Sequence, residues 1–275
     1  MAQLSMNETT TYRWSFEEDV AACAAAGIPA IGVWRQKLSD CGQAKAVELL
    51  DERGLKVSHL FWAGGFTGSD GRSFRESQED AREALQAAAA IGAGCLTICS
   101  GGRAGHTFNH ARRLVKDALL GLVDEAVRLG VQLAVEPMHP GCAAPCTFLT
   151  SLDDALALLS AVGSPQVKLV FDTYHLGQTP EILDRIPEIA AQIAVVQLGD
   201  ARRPPAGEQD RCRLGEGGIP LRAIVAALQS AGYNGYYDVE LLGEEIEACD
   251  YRALLEHAKT AFADLVGDAG KTGGQ

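Results

Sequence analysis

Short runs of strand-forming residues alternate with amphipathic helical stretches along the whole 275-residue chain. Eight runs stand out: QLSMNE (3–8), PAIGVWR (29–35), KVSHLFW (56–62), CLTICSG (95–101), QLAVEP (132–137), KLVFDTYH (168–175), IAVVQLGD (193–200) and YYDVELL (236–242). Each is followed by a stretch of helical periodicity, the pattern of parallel strands joined by crossover helices. Gly27, Gly54, Gly92, Gly130, Gly163 and Gly232 each fall just before a run, where a left-handed helix C-cap is wanted. Ser151 with Asp154 resembles a capping box before LALLSAVG, and Thr179-Pro180 reads as N-cap and first helical position before EILDRIPEIAA. Eight strand–helix units, with no composition shift or long linker between them, predict one α/β domain: a single closed (β/α)8 barrel over residues 1–266, followed by a flexible tail over 267–275. An open doubly wound sheet would need a G-x-G-x-x-G loop after its first strand, and none follows QLSMNE.

Composition narrows the partners. With 47% hydrophobic and 22% charged residues the chain reads as globular, and no apolar run reaches the roughly 18 residues of a membrane span. The start MAQLSMNETT lacks the basic and apolar segments of a secretory signal, so a cytoplasmic location is expected. A net charge of −12, from 24 basic against 36 acidic residues, repels nucleic acid and anionic lipid. Eight scattered cysteines, with no Cys-x-x-Cys and histidine partner, read as reduced thiols rather than a disulfide framework or structural zinc site.

Barrel enzymes place their chemistry at the carboxyl ends of the strands, and here those ends are polar in a pattern. Run five ends in Glu136, run six in Asp172 with His175 beyond, run seven in Gln197 with Asp200, and run eight in Glu240. Three carboxylates meeting in one barrel mouth repel unless a cation holds them. Glu136, Asp172, Gln197 and Glu240 therefore make a candidate site for one divalent metal ion, the oxygen-rich set favouring Mg2+ or Mn2+, with Co2+ or Zn2+ also compatible. The competing expectation is that each acid finds its own arginine or helix N-terminus. Trp34, Arg35, His59, Trp62 and His106 are further candidates for lining a substrate pocket. Trp34 and Trp62 equally suit core packing, His59 suits a hydrogen-bonded core position, and His110 and His257 fall on helices facing solvent. The longest loop, ARRPPAGEQDRCR before LGEGGIPL, carries Arg202, Arg203, Arg211 and Arg213, which either receive an anionic substrate or pair with Glu208, Asp210 and Glu216.

Five segments, AVEP around Glu136, FDTYH around Asp172 and His175, VVQLGDARR around Gln197 and Arg203, LGEGGIPL at 214–221 and DVEL around Glu240, carry a resemblance to a known family. The sequence resembles, over nearly its whole length, the xylose isomerase-like TIM barrels. This sugar phosphate isomerase/epimerase superfamily includes ketose 3-epimerases, inosose isomerases and dehydratases, and 3-dehydroshikimate dehydratases. The resemblance implies that Glu136, Asp172, Gln197 and Glu240 bind one divalent cation and that Glu136 and Glu240 also move protons. It further implies that His175 of the D-x-x-H motif contacts substrate and Arg203 holds a substrate oxygen or carboxylate. The implied activity is metal-dependent isomerisation or epimerisation of a keto-sugar or cyclitol through a metal-stabilised ene-diolate. The alternative is a lyase of inosose, 3-keto-glycoside or 3-dehydroshikimate type at the same site. Gln197 departs from the histidine of most ketose epimerases and matches some dehydratases. Homodimers or homotetramers are common in the family.

Overall fold

All eight runs form strands, and they pair in chain order into a closed parallel barrel: β1 (Gln3–Asn7), β2 (Ala30–Trp34), β3 (Lys56–Gly64), β4 (Cys95–Cys99), β5 (Gln132–Val135), β6 (Val167–Asp172), β7 (Ile193–Leu198) and β8 (Tyr236–Val239). Closure is made by β8 lying parallel to β1, with Gln3 opposite Tyr236 and Met6 opposite Val239. This computed structural model describes residues 2–267, so the tail expected at 267–275 falls, apart from Gly267, outside the described residues. Gly267 itself ends the last helix, Tyr251–Gly267. Among the described residues no helix is long and apolar enough to cross a membrane.

Alternation along the strands divides the barrel wall into two faces. Phe171, Val196, Leu198 and Val239 point outward into one continuous apolar core with Leu119, Leu122, Leu158 and Ile224 of the surrounding helices. Cys95, Ala134, Val170 and Val195 form a separate small cluster of their own. Two residues further along β5, β6 and β7, on that same face, come Glu136, Asp172 and Gln197. The register sets Asp172 opposite Gln197 and Gln197 opposite Asp238, and Glu240 follows Asp238 by one period of β8. A layer of apolar side chains thus underlies a layer of oxygen-bearing ones.

The six glycines expected to end helices all take left-handed φ, between 64° and 83°. Ser151 Oγ accepts from the Asp154 amide at 3.1 Å, as its capping position requires. Two boundaries differ from the sequence expectation. Run six was expected to stay extended to His175, but β6 stops at Asp172, and Thr173–Leu176 make a helical turn. The cause is Asp172 itself, whose Oδ1 accepts from the Tyr174 amide at 2.7 Å and so caps that turn. The next helix, Ile182–Ile189, starts two residues beyond Pro180 with Glu181 in a left-handed conformation, so Thr179 and Pro180 belong to the preceding turn.

Candidate active site

The helical turn after β6 lifts His175 back over the strand ends. Its Nε2 lies 3.5 Å from Asp172 Oδ2, 3.6 Å from Glu208 Oε1 and 3.9 Å from Glu136 Oε1. The His139 amide donates to Nδ1 at 3.3 Å, which assigns the proton of the neutral ring to Nε2. Burial, and next the nearby Arg211 charge, lower the His175 pKa to about 3, so the ring is neutral at physiological pH. His175 therefore presents one N–H to the centre, and that N–H has no hydrogen-bond partner among the described residues.

Three carboxyl groups meet one guanidinium here, with Glu136 as a fourth acid nearby. Arg211 Nη1 lies 3.0 Å from Asp172 Oδ2, while Nη2 lies 3.1 Å from Glu208 Oε2 and 3.4 Å from Glu240 Oε2. Its Cζ rests 4.2 Å from the centroid of the Tyr174 ring. Burial works against the Arg211 charge, but Asp172, Glu240 and Glu208 outweigh it and hold the group firmly protonated. One cation does not offset four acids. Burial, followed by the charges of Glu240, Asp172 and Glu208, pushes Glu136 well above the usual carboxylate range. Burial raises Glu240 to about 8 and raises Asp172 against the opposing pull of Arg211. Cys99 Sγ adds a weak donor 3.9 Å from Glu136 Oε2.

These residues fit a divalent ion. Gln197 Oε1 and Glu240 Oε2 are buried without a hydrogen-bond partner among the described residues, and ligand atoms of Glu136, Asp172 and His175 lie within 4.8 Å of one another. Because His175 Nδ1 already accepts the His139 amide hydrogen bond, the ring proton sits on Nε2, which is a donor rather than a ligand, and this leaves an all-oxygen set. Such a set suits a hard cation, and a buried cluster of raised carboxylates is what such an ion would relieve.

The loop over residues 201–213 closes the barrel mouth. Tyr174 Oη donates to the Gly207 carbonyl, and Arg211 N–H donates to the Leu242 carbonyl at 3.1 Å. Only glycine fits at 141 and 243, where a Cβ would collide with the Pro205 and Gln209 carbonyls. Asp200, expected near the site, is instead the post on which LGEGGIP is hung: it accepts from the amides of Ala201, Gly215, Gly217 and Ile219.

The other candidates each have their own surroundings. Arg203 is exposed and lines a cavity of about 620 Å³ beside the loop, which it shares with Arg202, Gln209 and Arg211. His59 is fully buried within the barrel, its Nδ1 3.0 Å from Ser58 Oγ and its Nε2 3.9 Å from Asp238, a carboxyl that also accepts from Ser5 and Asn7. Trp62 is 46% exposed and shares a rim pocket with Trp34, Arg35 and Arg72. His106 stacks on His110 with ring centroids 4.7 Å apart. Arg202 pairs with Glu216 and Glu245, as expected for loop arginines with acids nearby. Sequence reasoning passed over Glu208 and Arg211 as members of the centre. The available signal was their place in the longest loop after a strand that ends in a candidate ligand.

A closed parallel barrel with acids and an amide gathered at the carboxyl ends of β5 to β8 defines the class, and the comparisons agree. The model of the xylose isomerase-like TIM barrel family matches residues 20–261, and the chain belongs to that family. An inosose isomerase of Bacillus velezensis is 24% identical over 96% of this chain and 97% of its own length. A solved protein of Sinorhizobium meliloti 1021 is 27% identical, with TM-score 0.88 over 95% of this chain and 98% of that one. The IolI protein, solved with a bound zinc atom, is 21% identical, with TM-score 0.85 over 97% of this chain and 99% of that one.

Proposed function

We propose that the protein is a divalent-metal-dependent isomerase or epimerase of a keto-sugar or cyclitol. The observation that carries this reading is the convergence of Glu136 and Glu240, both with raised pKa, on a buried spot faced by the neutral N–H of His175. The inosose isomerase relative supports the substrate class.

Glu136, Asp172, Gln197 and Glu240 would hold the cation, with magnesium or manganese suited to their oxygen donors; when bound, it supplies Lewis-acid polarisation of neighbouring substrate oxygens. One glutamate, ionised, takes the proton from the carbon beside the carbonyl. The other, still protonated, returns one to the same carbon or its neighbour. His175 Nε2–H points at the oxygen where negative charge develops, and donates without having to lose its proton. The loop over 201–213 keeps bulk water from the reacting carbon. A lyase using the same groups is the second reading, favoured by Gln197, since the resemblance places histidine there in most ketose epimerases.

Metal analysis of the purified protein and a mass-resolved panel of inososes, ketohexoses, 3-keto-glycosides and dehydroshikimate test this. Interconversion without mass change is the expected result; loss of water or release of a sugar moves the assignment to the lyase. Calorimetry in two buffers of different ionisation enthalpy adds an independent check. Glu240 keeps its proton up to about pH 8 and Glu136 is raised well above its usual range, so magnesium or manganese binding at pH 7 is expected to release protons. Binding with no proton release would remove both glutamates from the ligand set.

A further inference from the structure

We infer that Glu208, carried by the loop over the barrel mouth, is a catalytic acid–base group that moves an oxygen-bound proton of the substrate. It follows that the centre is built to relocate a carbonyl rather than only to invert a carbon. This rests on the function proposed above.

Glu208 is unlike the other three acids. Glu136, Asp172 and Glu240 stand at strand ends with side chains 6%, 0% and 11% exposed, whereas Glu208 comes from a loop and is 30% exposed. Its side chain thus bridges the buried centre and the solvent-exposed loop. Its placement is built in. On one side of it the Gly207 carbonyl accepts from Tyr174 Oη, and on the other the Gln209 carbonyl lies against Gly243, where no larger residue fits. Arg211 Nη2 takes Oε2 at 3.1 Å, which turns Oε1 inward. That Oε1 is buried and stops 3.6 Å from His175 Nε2, with the Cys142 thiol beside them as the third wall. A carboxyl oxygen and an imidazole N–H therefore border one small space, and the occupant they suit is a substrate hydroxyl or carbonyl oxygen.

The chemistry separates two outcomes that share the first step. In carbonyl transposition, H–C–OH beside C=O becomes C=O beside H–C–OH: one hydrogen moves from carbon to carbon, and a second moves from oxygen to oxygen. One carbon is oxidised and its neighbour reduced, so no outside oxidant or reductant is needed. Epimerisation returns the hydrogen to the same carbon and requires no net transfer between oxygens. Glu136 and Glu240 serve the carbon-bound hydrogen in both cases. Glu208 Oε1, next to His175, is placed for the second transfer, which only transposition demands: it takes the proton from the hydroxyl that becomes the carbonyl and delivers it to the oxygen that becomes the hydroxyl.

The duller role for Glu208 is to fasten the loop through Arg211, and the test separates the two. Magnesium-loaded wild type and Glu208→Gln are incubated with 2-keto-myo-inositol in D2O and quenched with EDTA. Deuterium gain is read by mass spectrometry and carbonyl position by NMR. Glu208→Gln is expected to lower transposition by about 100-fold or more, within the range of general acid–base catalysis, while lowering deuterium gain less than about tenfold. Its urea midpoint and magnesium affinity are expected to match wild type, because glutamine retains an acceptor for Arg211. Equal loss of both rates, or loss of neither, overturns the proposal; equal loss with a lowered midpoint assigns Glu208 to loop fastening. A wild type that exchanges deuterium but yields only epimers leaves the proposed function standing and overturns this inference. A wild type that exchanges no carbon-bound hydrogen of the inosose, or of ketohexoses tested beside it, overturns both.

Discussion

Glu240→Gln is expected to lower turnover by about 1,000-fold or more while leaving the barrel folded, and Glu136→Gln is expected to do the same. Each change removes a proton carrier and a charged ligand at once, yet it replaces an acid with a neutral group of the same shape. The fold has reason to tolerate this. Burial raises Glu240 to about 8, so in metal-free protein its ionised form is disfavoured by the folded state. A carboxyl raised in this way loses stabilising influence as pH climbs from its ordinary value of 4.5 toward 8, because the folded state holds a proton that the unfolded chain gives up. Glutamine has no proton to lose. The urea midpoint of metal-free Glu240→Gln at pH 8 is therefore expected to equal or exceed that of wild type. Deuterium exchange at substrate carbon, measured beside urea unfolding, reads both effects, and retained exchange would exclude Glu240 from the chemistry.

The barrel was legible because its signals are local. Each strand announces itself by apolar content, six of them are preceded by a glycine that takes the left-handed conformation ending a helix, and strand order follows chain order in a closed parallel sheet. The strand-end acids were legible for a related reason: period-two alternation places Glu136, Asp172 and Gln197 two residues beyond the small inward cluster of Ala134, Val170 and Val195. What sequence concealed depends on side-chain contacts, one of them local and the others between distant segments. Asp172 ends β6 early by capping the next turn, and that turn carries His175 to its place above the acids. Arg203 carried the family motif, but the loop folds so that Arg211, eight residues on, enters the centre while Arg203 stays exposed. His59 is polar and close to a strand end in sequence. Its environment, however, is set by Asp238, 179 residues away, with Ser5 and Asn7 from β1. No spacing rule predicts such a partner.

Arg211→Met is expected to destabilise the metal-free protein by about 3–5 kcal/mol at neutral pH, the usual consequence of removing one partner from a buried ion pair. No allowance for solvent screening applies, since the guanidinium side chain is 1% exposed and its partner Asp172 is 0% exposed. The sequence predicted that acids so close together need a cation, and Arg211 is the one the chain itself provides. Removing it leaves Asp172, Glu208 and Glu240 facing one another without a positive charge. Two consequences distinguish this from lost packing against Tyr174. Arg211 favours the ionised form of Asp172, so its contribution is present when that carboxyl is ionised and fades as it takes up a proton. The deficit of Arg211→Met, read from urea unfolding, is accordingly expected to be smaller at pH 5 than at pH 8. A divalent ion bound by the same oxygens supplies replacement charge, so magnesium or manganese is expected to stabilise the variant more than it stabilises wild type. A deficit independent of both pH and metal would mean that Arg211 acts through its contact with the Tyr174 ring, and that the acids are kept apart by protons alone.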